Sequence, residues 1–120
     1  MDNKEFSKNL ESRTKIFALA TIRLSITLPN TIEGKIIKNQ ITKSGTSIGA
    51  NYREANRSRS KADFSNKIRI CESEANETGY WLEIIDALNW VEKEKLEPLQ
   101  KEGNELLAIF SAISKSSRSK

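Results

Sequence analysis

Five basic residues set close together, Arg53, Arg57, Arg59, Lys61 and Lys67, are the side chains whose type and spacing could do chemistry. Arg53 and Arg57 stand four apart, so a helix puts them on one face. Arg59, Lys61 and Lys67 carry the positive charge onward across a turn. A guanidinium fork matches phosphate geometry, and a rigid helical hairpin presenting several of them can hold a nucleic-acid backbone with strong salt dependence. The competing reading pairs Arg53 and Arg57 with Glu74, Glu77 or Glu83 in a packed interface, where buried arginine and carboxylate fix register. The residues alone leave both open.

Other chemistries have fewer parts. Glu72, Glu74, Glu77 and Glu83 invite comparison with bundles that hold two metal ions between inward-facing carboxylates and histidines. The sequence has no histidine, and these glutamates lie beside an apolar seam rather than on it. A solvated or salt-bridged face is therefore expected. Without histidine the Ser and Thr hydroxyls lack their usual activating partner, and the commonest proton-transfer group near neutral pH is missing. Cys71 is the lone cysteine, unable to form an internal disulfide, and its place inside an apolar repeat makes it a small buried hydrophobe. We expect no catalytic residue, no metal and no cofactor: a binding protein rather than an enzyme.

Four amphipathic helices must position these groups. The first, about 3–28, carries Phe6, Leu10, Phe17, Ala20, Leu24 and Leu28 on one stripe, widened by Ile16, Leu19, Ile22 and Ile26. Pro29 ends it, and Asn30 with Glu33 supplies an N-cap for the second helix, about 31–57. There Ile32, Ile36, Ser44, Ile48, Asn51 and Ala55 line one side, with Ile37 and Ile41 beside them. Ser60 caps the third helix, about 61–92, with Asp63 at its third position. Phe64, Ile68, Cys71, Ala75, Thr78, Leu82 and Ile85 then alternate steps of four and three, a heptad seam. A second apolar line, Trp81, Ile84, Leu88 and Val91, gives that helix two neighbours. Pro98 opens the fourth helix, about 98–115, where a missing amide does no harm. Leu99, Gly103, Leu106, Phe110 and Ile113 form its stripe, and a polar, basic tail follows, flexible over 116–120. Short turns between such helices imply one domain, an all-α antiparallel up-down-up-down four-helix bundle.

The middle of the second helix is unusual. Gly45 and Gly49 lie four apart among Ser44, Ser47, Ala50 and Asn51. Glycine inside a helix costs about 0.5–1 kcal/mol against alanine, so two of them need a reason such as close approach of another backbone. SGTSIGAN lacks the pattern of a phosphate-cradling loop, and no strand precedes it. A tight helix crossing, inside the bundle or between subunits, is the expectation.

The chain has 120 residues, enough for a single core. Residues 30–70 carry nine Lys/Arg against three acids, whereas residues 71–105 carry ten acids against three lysines. That asymmetry fits a basic nucleic-acid surface with an acidic one elsewhere, or two regions that attract one another. No apolar run is long enough for a membrane span and no signal-peptide pattern is present, so a cytoplasmic protein without a membrane partner is expected.

The stretch SGTSIGANYREANRSRSKADF, followed by ESEANETGYWLEII, resembles the bacterial four-helix-bundle family of 23S rRNA intervening-sequence proteins, often labelled S23. The resemblance rests on Ser44 to Tyr52, Glu54 to Ala55, Asp63 to Phe64, Glu74, Glu77 to Thr78 and Tyr80 to Leu82. It implies a helical bundle assembled as a ring-like homopentamer. The family is named for reading frames inside spacers inserted in large-subunit rRNA genes. It is similar to the accessory variability protein of diversity-generating retroelements, a basic pentamer that binds nucleic acid and a reverse transcriptase. The acidic half from Cys71 to Glu105 makes this chain less basic than that comparison implies. The expected packing or oligomer-interface residues are Ser44, Gly45, Ile48, Gly49, Asn51, Tyr52, Phe64, Glu77, Tyr80 and Trp81. The expected function is RNA or DNA binding through the five basic residues. The alternative is a protein-interaction scaffold, or accessory subunit, whose arginines serve subunit contacts.

Overall fold

A three-four apolar repeat in each segment has one low-energy solution, a set of helices that turn their stripes inward. The computed structural model describes residues 3–118 and contains α1 (Asn3–Ile26), α2 (Ile32–Ala55), α3 (Lys61–Ala87) and α4 (Lys93–Arg118). Each packs against its sequence neighbour, and α1 closes against α4 over a smaller interface. The result is the expected all-α up-down-up-down bundle, 45 Å long and 26 by 20 Å across.

The α3 seam forms as its spacing requires: Ile68, Cys71, Ala75, Thr78, Leu82 and Ile85 are buried, with Phe64 partly so. One core cluster gathers Phe17, Ile48, Tyr52, Ile68, Leu106 and Phe110. A second, toward the other end, gathers Leu24, Leu28, Ile41, Leu82, Ile85 and Leu96. Tyr52 and Phe110 meet edge to face at 5.4 Å, joining α2 to α4.

Several boundaries and registers differ from the sequence expectation. The α2 cap is Thr31, whose hydroxyl accepts from the Gly34 amide at 3.0 Å, one residue beyond Asn30. Ile32 and Ile36 are exposed, and the buried line instead runs through Ile41, Ser44, Gly45, Ile48, Tyr52 and Ala55. On α1, Phe6 is exposed, while Thr14 and Thr21 occupy wholly buried positions between the apolar residues. Their hydroxyls donate to the carbonyls of Leu10 and Phe17 four residues back, which removes the main cost of burying them.

Helix α3 stops at Ala87 rather than near residue 92. Asn89 takes a left-handed conformation, φ 56°, the Asn89 amide donates to the Asp86 carbonyl, and the Trp90 amide donates to that of Ile85. This is a Schellman closure with asparagine in the position usually held by glycine. Helix α4 begins at Lys93, so Pro98 lies inside it. The amide that Pro98 lacks would have bonded the carbonyl of Glu94, and both residues are exposed to water. Leu96, which the sequence reading leaves in a turn, is fully buried and anchors this first turn in the core. At its other end α4 continues through Ser116, Ser117 and Arg118, residues expected in the flexible tail; Ser119 and Lys120 lie outside the described residues.

Candidate nucleic-acid interface

Tyr52 and Ala55 point into the core, so the last turn of α2 presents Arg53 and Glu54 outward; α2 ends at Ala55 rather than near residue 57, so Arg57 is exposed in the turn that follows instead of on the helix. After Ala55 the backbone closes with amides of Asn56, Arg57 and Ser58 donating to carbonyls of Tyr52, Glu54 and Ala55. Ser60 then caps α3, its hydroxyl accepting from the Asp63 amide at 3.0 Å, as its sequence position implies. This short turn sets Arg59 between the two helices.

Arg53, Arg57, Arg59 and Lys67 line one open groove of about 480 Å³ together with Glu54 and Asp63. Four cations against two carboxylates leave it net positive by two. Lys61, the fifth predicted residue, lies around the turn, where it lines a second hollow with Arg59. Lys67 pairs with Glu54 at 3.2 Å. Arg57 reaches back and donates to the Arg53 carbonyl at 3.3 Å, satisfying one of the open carbonyls at the end of α2. Among the described residues, Arg57, Arg59 and Lys61 have no carboxylate within 4.0 Å.

The pairing of Arg53 or Arg57 with Glu74, Glu77 or Glu83 is not made among the described residues. Helices α2 and α3 run antiparallel, with Thr78 opposite Ser44, Cys71 opposite Ile48 and Lys67 opposite Glu54. The arginine end of α2 therefore meets the first turns of α3, not its acidic middle. Glu74 faces Ser47 and Lys43 instead; burial raises its pKa, the neighbouring Glu77 adds to the rise, and Ser47 and Lys43 oppose it. Glu77 accepts from the Trp81 indole at 3.1 Å, and Glu72 accepts from the Ser111 hydroxyl. Arg53 has a different partner, Glu11 of α1, at 3.7 Å. The other oxygen of Glu11 accepts from the Asn56 side chain at 2.8 Å. Sequence reasoning missed this strap because Glu11 lies 45 residues before Asn56.

The two glycines in the middle of α2 serve the interior. A Cβ on Gly45 would stand 2.5 Å from Thr21 Cγ2, and one on Gly49 would stand 2.9 Å from Thr14 Oγ1. The close neighbour is α1. Ser44 accepts from the Thr78 hydroxyl, Ile48 is fully buried, and Asn51 donates to the Ser47 carbonyl of its own helix. Tyr80 is different: it is about half exposed, stacked edge to face on Trp81 at 5.1 Å. Cys71 is buried, its thiol donating toward the Ile48 carbonyl and pushed up to about 12 in pKa, first of all by desolvation.

Among the described residues no helix is long and apolar enough to cross a membrane, and no group of three His, Cys, Asp or Glu side chains is placed to hold a metal. A family profile described as 23S rRNA-intervening sequence protein matches residues 8–112. Among solved structures, the chain is similar to a protein with unknown function from the S23 ribosomal protein family of Bacteroides thetaiotaomicron VPI-5482. The two are 37% identical, the match covers 91% of this chain and 97% of that one, and the TM-score is 0.81. No curated protein matches.

Proposed function

This chain belongs to the family of 23S rRNA-intervening sequence proteins, and we propose that it acts as a non-enzymatic, cytoplasmic, oligomeric bundle that binds RNA through the basic groove at the α2–α3 turn. The observation that carries this is the groove itself, in which three arginines and a lysine converge on one surface and Arg57 and Arg59 have no carboxylate partner among the described residues. Phosphate contacts of this kind supply affinity that falls steeply with salt. With four cations engaged, the logarithmic salt slope on single-stranded RNA is about −3. The double variant Arg57→Ala, Arg59→Ala makes it shallower by about 1.4. Fluorescence anisotropy across a salt series measures both; absence of binding at low salt, or an unchanged slope in the double variant, refutes the reading.

A second reading is supported by a different surface. Ile16, Leu19, Ile22 and Ile26 form an exposed apolar stripe on α1, and Ile32 and Ile36 extend exposed apolar surface onto α2. Exposed apolar side chains in this number favour association. In this reading copies assemble, as a homopentameric ring, into a protein-interaction scaffold or accessory subunit, and the arginines serve subunit contacts. Arg53→Ala or Arg57→Ala then lowers the mass seen by light scattering before any ligand binding changes.

A further inference from the structure

A second hollow lies beside the α2–α3 turn. It is the larger of the two, about 740 Å³, inside the roughly 300–1,000 Å³ range of small-ligand pockets. It opens where the end of α4 passes the start of α3, and its apolar lining comes from Phe64, Ala112 and Ile113. Arg59 and Lys61 bring positive charge to it. Phe64 is only partly buried although its seam partners on α3 are wholly so, which leaves part of its ring available to the hollow. Arg59 lines this hollow and the basic groove alike, so the two are adjoining parts of one surface.

We infer that this hollow receives the base of an unpaired nucleotide while the adjoining groove holds the phosphates on either side of it. The inference rests on the reading of the groove as a phosphate site and adds the class of ligand: single-stranded nucleic acid, not a fully paired duplex. The chemistry requires both halves. A bare apolar hollow would take many ligands and a bare basic groove any polyanion. An aromatic side chain in a hollow that shares Arg59 with an arginine row suits a strand whose bases can leave the stack. A paired base cannot enter without breaking its pair and its stacking.

The test uses the full chain with a labelled oligouridine single strand and a blunt RNA duplex of equal phosphate number. Ala112 is exposed, so Ala112→Leu fills the hollow without disturbing the core and without adding a ring on which a base could stack; Phe64→Leu keeps apolar contact with the core and removes the ring. The wild type is expected to prefer the single strand. Each variant is expected to weaken single-strand binding about five- to a hundredfold while leaving duplex binding and its salt slope unchanged. Circular dichroism and light scattering confirm an unchanged fold and mass. Equal affinity for strand and duplex, or undiminished single-strand binding by Ala112→Leu, overturns the base pocket and leaves the phosphate groove standing. Failure of both probes to bind the wild type at low salt overturns the groove, and the base pocket with it.

Discussion

Replacing Gly45 by alanine adds one methyl group at the closest approach of α1 and α2. The new carbon would stand 2.5 Å from Thr21 Cγ2, 2.9 Å from Thr21 Oγ1 and 3.0 Å from Thr21 Cβ. Ordinary carbon contacts lie at about 3.5–4.0 Å, so the helices must part by roughly 1 Å or Thr21 must rotate. Rotation is blocked, because Thr21 is fully buried and its hydroxyl is committed to the Phe17 carbonyl at 2.9 Å. Overpacking of this kind costs about 1–3 kcal/mol, against a helix-propensity gain of up to about 1 kcal/mol. The expected net is a loss of about 1–2 kcal/mol. Gly79→Ala is the control: nothing lies within 4 Å of its added carbon, so propensity acts alone and stability rises by about 0.5–1 kcal/mol. Urea unfolding followed by circular dichroism at fixed protomer concentration gives both numbers. In a Thr21→Ala background two of the three clashing atoms are gone, and the Gly45→Ala loss should shrink by about 1 kcal/mol, a coupling a double-mutant cycle detects. If Gly45→Ala stabilises as much as Gly79→Ala, the tight-crossing account is wrong.

The Cys71 thiol has a pKa raised from 9.0 to about 12 by burial, so the folded state holds its proton more firmly than the unfolded chain does. The stability this contributes is complete below about pH 9 and is lost as pH rises toward 12. Between pH 8 and pH 10 the wild type should therefore lose about 1.4 kcal/mol more than Cys71→Ala; parallel urea curves at the two pH values check it. Arg13 joins α1 to α4 through Glu102, at 2.6 and 2.8 Å, and Glu105, at 2.8 Å. The hydrogen bond to Glu102 above all raises its already high pKa. The three side chains are about a third to a half exposed, so Arg13→Ala should cost about 1 kcal/mol at low salt, and thermal melts in molar salt should show most of that difference gone.

What was legible in the sequence divides along physical lines. The α3 seam was legible because seven positions at steps of four and three can be satisfied by one helix face and no other arrangement. The Ser60 cap was legible because its partner, the Asp63 amide, is three residues away. Thr14 and Thr21 were passed over because a hydroxyl reads as polar, and nothing in a hydropathy pattern shows that it will bond a carbonyl of its own helix. Ile32 and Ile36 continue the apolar period of α2 yet stay exposed on the isolated chain. Periodicity identifies a face without saying what covers it. Pro98 looked like a helix start because proline favours that place, but Leu96, two residues earlier, gains about 1.5–3 kcal/mol by burial, and the helix forms around the proline instead. Asn89 was the unrecognised stop signal, since asparagine is among the few residues other than glycine that enter the left-handed region readily.

The basic cluster was legible as composition, but its division of labour was not, because that follows from the helix crossing. Gly49 lets α1 come close at Thr14. Three residues back along α1 from Thr14 is Glu11, and four residues on from Gly49 is Arg53, so the approach that needs a glycine also brings that carboxylate to Arg53 and Asn56. Arg53 is thereby partly neutralised by the fold, Arg57 is partly spent on the end of α2, and Lys67 is paired with Glu54. Arg59 has neither a carboxylate within 4.0 Å among the described residues nor a place on a helix interior, and it borders both the groove and the hollow. The five cations are therefore unequal for a phosphate ligand. Moving a guanidinium already engaged with a carboxylate gives up that pairing before it gains a phosphate, whereas Arg59 gives up only water. On the proposed reading, single alanine substitutions should rank Arg59 first in lost affinity and the paired Arg53 and Lys67 last, and a ranking led by Arg53 would mean that the Glu11 strap opens when ligand binds.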